Sequence, residues 1–79
     1  MTIYILIETR NNEELRRLHF RSRGGALLKA GMMMDESLPK RRKTRKEDID
    51  RAMAELDRDG YTGYSMLYSE YRIEEAELY

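Results

Sequence analysis

Six cations fall within the seven residues Lys40-Arg41-Arg42-Lys43-Thr44-Arg45-Lys46, the densest run of one chemistry in this 79-residue chain. Such side chains hold phosphate oxygens or carboxylates, and each phosphate neutralised adds affinity that falls as salt rises. A short basic run is also what a solvated loop looks like, so the signal has low specificity. Lys40, Arg41, Arg42, Lys43, Arg45 and Lys46 are the candidate binding residues. Arg16, Arg17, Arg21 and Arg23 extend the patch if the N-terminal half folds back towards it.

A second candidate surface lies in the last third, where Tyr64, Tyr68, Glu70 and Glu74 mix aromatic rings with carboxylates. Tyrosine brings large amphipathic contact area, which suits interfaces, and carboxylates suit a basic partner site. The competing reading is a core strand whose tyrosines pack internally.

Other chemistries find little support. The chain has no cysteine and a single histidine, His19, so thiolate catalysis, disulfides and Cys-based zinc sites are excluded. His19 has no partner at a spacing that would make it a general base. Gly24-Gly25 lacks the Lys-Ser/Thr that completes a phosphate-cradling loop. The segment Glu55–Gly60 resembles the start of a calcium loop, but Met66 stands where the closing glutamate is required. The expectation is therefore a non-enzyme with no cofactor and no metal; an Arg/Tyr-based ribonuclease or toxin is the enzymatic alternative.

Formal neutrality, with 15 Lys/Arg against 15 Asp/Glu, hides two opposed halves. Residues 10–46 carry twelve Lys/Arg and four Asp/Glu, a balance of +8, whereas residues 47–79 carry three and ten, a balance of −7. That asymmetry speaks of partners and self-association rather than of fold. Charged residues make up 38% of the chain, against about 25% in an average domain. A single domain over residues 1–79 of this size hides only roughly 60% of its unfolded surface, so its core is thin. Oligomerisation is a device small domains use to gain burial, and a homodimer is expected on that ground. The longest apolar run, Ile3 to Ile7, is too short to span a bilayer, which points to a cytoplasmic protein without membrane contact.

The elements that must position these residues follow from local patterns. Thr2 to Thr9 is β-branched and aromatic, and Asn11-Asn12 tolerates the positive φ of a two-residue hairpin turn. A hairpin centred there sets Ile3 against Phe20, Ile5 against Leu18, Tyr4 against His19 and Arg10 against Glu13. The rival is a helix starting at Glu13. Gly24-Gly25 reads as a second turn, leading into a strand over 26–34 or a short helix over 26–30 stopped by Gly31. Met32-Met33-Met34 reads as gap-filling core. Residues 35–43 read as a connector.

Thr44 and Glu47 have the spacing of a capping box, and Ile49, Ala52, Met53 and Leu56 form one helix face. With Gly60 as its stop, a helix over 45–59 is the clearest element. It is expected to rest on a sheet face made by Ile3, Ile5, Leu18 and Phe20. Tyr61 to Tyr71 reads as a strand, and Arg72 to Tyr79 as a helical or loose acidic tail.

The fold expected is α+β: an antiparallel sheet of three to four strands with one main helix, about 45–59, on one face. For function, the leading expectation is a non-catalytic binding or inhibitory protein that occupies a charged surface on a partner protein or nucleoprotein complex. A small, cofactor-free, highly charged chain is similar in size and composition to inhibitors that phages and other mobile elements direct at nucleic-acid-targeting defence complexes. Anti-CRISPR proteins are among them. That class shares no motif, so no residue roles carry over. The alternative is a small regulatory protein whose segment 40–46 contacts nucleic acid directly.

Overall fold

The computed structural model describes residues 1–63 and 67–78. Its elements run β1 (Thr2–Arg10), β2 (Glu13–Phe20), α1 (Arg23–Ser37), α2 (Arg45–Asp59), β3 (Tyr61–Thr62) and β4 (Glu70–Glu77). The strands form one antiparallel sheet in the order β2-β1-β4-β3, and both helices pack on one of its faces. The α+β class and the position of α2 are as the sequence predicts; a second helix joins it.

The β1–β2 turn is the predicted one, with Asn11 at φ 53° and Asn12 at φ 65°. Its register holds only near the turn, where Arg10 faces Glu13 and Thr9 faces Glu14. Between Glu8 and Thr9 the pairing shifts, so that Leu15 is an extra residue on β2 and Glu8 faces Arg16. Such a bulge moves every later side chain to the other face. Leu6 then opposes Leu18, Tyr4 opposes Phe20 and Ile5 opposes His19, which corrects the predicted pairs. The shift has a clear cause. It gathers Tyr4, Leu6, Leu18 and Phe20 on the face the helices cover, and it gives the buried Glu8 an arginine partner.

Ile3, Ile5 and Ile7 consequently point away from the helices, not towards α2. Ile7 is nonetheless only 1% exposed. Its opposed neighbours are Arg17 and Arg72, whose aliphatic stems are long enough to cover it. A centre strand covered on both sides explains the uninterrupted apolar run.

Helix α1 replaces the predicted turn at Gly24-Gly25 and runs through Gly31. Ser22 caps it, accepting from Gly25 N at 3.1 Å. Glycine costs about 1 kcal/mol per helix position relative to alanine, and burial of Ala26, Ala30, Met33 and Met34 offsets that cost. Met32 is the exception among the three methionines, being half-exposed. The helix ends at Leu38, whose extended ψ of 139° is the conformation favoured before Pro39. The connector is thus 38–44, shorter than predicted.

Helix α2 has the predicted bounds, and its stop is Gly60 at φ 73°, donating to the Leu56 carbonyl at 2.9 Å. Leu56 and Ala52 are fully buried, while Ile49 and Met53 are half-buried. The capping box is not formed: Thr44 occupies the cap position, but its hydroxyl donates to Asp48 Oδ2 at 3.0 Å rather than capping a backbone N–H. The helices form an antiparallel hairpin closed by an ion pair near each end, Arg23–Asp57 at 2.5 Å and Arg45–Asp35.

The last third departs most from expectation. Strand β3 is only Tyr61–Thr62, and Leu67 to Ser69 are not strand. The predicted loose tail is instead β4, inserted beside β1 with Leu6 opposite Ile73 and Glu8 opposite Tyr71. The predicted strand positions Tyr64, Ser65 and Met66 lie outside the described residues.

Candidate functional site

The basic segment 40–46 follows the sharp stop of α1 and enters the first turn of α2. Two of its cations are spent on structure. Arg42 Nε donates to Asp48 Oδ2 at 2.5 Å, and Asp48 is buried in the first turn of α2. Carboxylates suit that positively polarised end, so Asp48 anchors the loop and the helix start together. Arg45 ties α2 to α1 by donating to the Asp35 carbonyl at 2.6 Å and to its carboxylate. The Arg45 Nε is buried without a hydrogen-bond partner among the described residues. Its planar fork is held by packing as well as by charge.

The other four cations behave differently. Lys40, Arg41, Lys43 and Lys46 are exposed and have no ion pair among the described residues. The segment is therefore a braced loop that presents four charges to solvent. The bracing matters for binding, because a loop already ordered loses less entropy on contact.

Of the arginines expected to extend this patch, Arg16 pairs with Glu8 at 2.9 Å, Arg17 with Glu14 at 2.8 Å and Arg23 with Asp57. Arg23 starts α1, whose 15 residues span about 22 Å, so it lies far from the loop at the other end. Arg21 stands near it. Arg16 is different: Glu8, its partner, accepts from Tyr71, and Tyr71 in turn meets Ser37 at the loop end of α1. Arg10, bound to Ser69 Oγ at 3.0 Å, occupies that same end of the sheet. Arg10 carried no sequence signal, because only the pairing of β4 with β1 brings it there.

Burial by itself pushes the Glu8 carboxyl up, but hydrogen bonds involving Arg16, Ser69 and Tyr71 more than offset it, leaving its pKa below the ordinary 4.5. Burial, with a smaller push from Glu8, raises the Tyr71 phenol above its ordinary value of 10.0. Glu, Arg, Tyr and Ser are residue types that a nuclease can use. Here Glu8 is 2% exposed and Tyr71 1%, so they hold the sheet end together and offer no surface to a substrate.

The tyrosine-rich acidic third is divided by the fold. Tyr71 is core, Tyr68 is exposed, and Tyr64 lies outside the described residues. Glu70 accepts from Tyr61 OH at 2.8 Å, which raises the Tyr61 pKa, and Glu74 pairs with Arg72 at 2.8 Å. His19 stands exposed opposite Ile5, not Tyr4. Among the described residues no cluster of three or more His, Cys, Asp or Glu side chains is placed to hold a metal ion. No helix among them is long and apolar enough to cross a membrane.

Fold and loop together define a two-layer α+β domain with a rigidly held, cation-bearing connector at one end. Comparison with family models, curated proteins and solved structures gives no match, so a functional reading rests on these residues alone.

Proposed function

We propose that this chain is a non-catalytic cytoplasmic binding protein that docks its braced basic loop on an anionic surface of a partner protein or nucleoprotein complex. An inhibitor of the kind mobile elements direct at nucleic-acid-targeting defence complexes fits that description. The reading is carried by one observation: Lys40, Arg41, Lys43 and Lys46 are left unpaired on a loop that Arg42–Asp48 and Arg45–Asp35 hold in place. Charge arranged this way speeds encounter and sets specificity more than it adds raw affinity. Arg10 stands at the same end and widens the positive field, whereas the charge of Arg16 is taken up by Glu8.

The test is an affinity pull-down from the source host at low and moderate salt, using the natural chain and a variant with Lys40, Arg41, Lys43 and Lys46 all changed to Ser. Protein subunits retained by the natural chain and lost at least tenfold by the variant support the proposal. Recovery of nucleic acid alone would favour direct nucleic-acid binding by the same loop. Equal recovery by both chains would rule the loop out and direct attention to Tyr68, Glu70 and Glu74.

A further inference from the structure

The four methionines of the helix pair differ in their access to solvent. Met33 and Met34 are sealed in the core, and Met32 is 50% exposed with no part in the core cluster. Met53 combines the two conditions. It packs against the core cluster, yet it is only half-buried and lines an open groove between the helices with Leu27, Gly31, Met32 and Ile49.

Gly31 accounts for that access. A Cβ built on it would lie 3.6 Å from the Met53 sulfur and 3.8 Å from its methyl carbon. Those are ordinary contact distances, and the residue sits inside α1 without a positive φ, so neither space nor backbone angle requires glycine there. Glycine inside a helix costs stability relative to alanine. What its missing side chain does is leave the Met53 thioether uncovered beside the groove.

We propose that Met53 is a reversible oxidation site, with Gly31 the opening through which a peroxide reaches its sulfur. The sulfur lone pair attacks one oxygen of hydrogen peroxide, the O–O bond breaks, and the other oxygen leaves as water carrying both protons. Sulfur is oxidised by two electrons and the peroxide is reduced by two. The product is methionine sulfoxide, polar where the thioether was apolar, and methionine sulfoxide reductase returns it to the thioether. At position 53 the new oxygen is an acceptor set among apolar neighbours, and a buried acceptor without a donor is costly. The contact between α1 and α2 therefore weakens. Met32 is open to the same reaction but has no core packing to lose, so the fold responds to position 53 and not to position 32.

Hydrogen peroxide treatment of the full chain, read by tandem mass spectrometry at each methionine and by urea unfolding, tests this. Met53 should oxidise several-fold faster than Met33 and Met34. Gly31→Ala, whose added methyl covers the sulfur, should keep the circular dichroism spectrum and slow Met53 several-fold, with Met33 and Met34 changing less. The oxidised natural chain should unfold at a lower urea midpoint and recover it after reductase treatment. Met53→Leu, a swap of similar volume, should lose that response. The proposal is overturned if Met53 oxidises as slowly as Met33 and Met34. A Gly31→Ala chain that slows all three alike also overturns it, since the peroxide then enters by unfolding rather than past Gly31. So does a midpoint that falls equally in the natural chain and in Met53→Leu.

Discussion

Arg42 and Asp48 face each other across a 2.5 Å ion pair that ties the connector to the first turn of α2. Asp48 also accepts from Thr44, so one buried carboxylate organises both the loop and the helix start. Removing Arg42 leaves that carboxylate short of its main partner. Arg42→Ala should cost about 1–3 kcal/mol, read as a lower denaturant midpoint. Single alanine changes at Lys40, Arg41, Lys43 or Lys46 should stay within about 0.5 kcal/mol. If all five behave alike, the division between bracing and presented cations is wrong.

Leu56 is fully buried where α2 meets the sheet, beside Ala52 and Tyr71 in the core cluster. Leu56→Ala should cost about 2–5 kcal/mol by lost burial and the cavity left behind. For so thin a core that is a large share of total stability. Thermal or urea unfolding followed by circular dichroism measures it.

Acid should weaken the fold through Glu8. Its folded pKa lies below the ordinary 4.5, so its contribution is present above that value and lost as pH falls through the folded pKa. Unfolding midpoints measured from pH 6 down to pH 2 should show this decline. The slope should be shallower in Glu8→Gln, which no longer titrates. At the alkaline end the sign reverses: Tyr71, raised above 10.0, contributes stability below that value and loses it as pH rises.

Two glycines should respond oppositely to alanine. Gly60 holds φ 73° at the end of α2, a conformation that costs a side chain about 1–2 kcal/mol, so Gly60→Ala should destabilise by that amount. Gly24 lies in the first turn of α1 with nothing within 4 Å of an added Cβ, and Gly24→Ala in dilute solution should stabilise by about 0.5–1 kcal/mol. Midpoints moving in the same direction would contradict the backbone assignment at one of the two sites.

What the sequence by itself determined was local. The 3.6-residue spacing of Ile49, Met53 and Leu56 with Gly60 behind it sets the bounds of α2, and Asn11-Asn12 sets the hairpin turn, because each signal acts within a few residues. What only the tertiary structure decided depends on partners far along the chain. Leu15 is bulged because the helix layer needs Leu18 and Phe20 on the same face as Leu6, a demand the hairpin alone does not make. Gly24 and Gly25 are helical because buried alanines and methionines outweigh their low propensity. The acidic tail, polar in pattern, becomes a strand because β1 offers it a full ladder of hydrogen bonds and a place for Tyr71 and Ile73 in the core. The division of the basic run into braces and free charges follows from where Asp35 and Asp48 come to lie, since an ion pair is a matter of distance in space rather than in sequence.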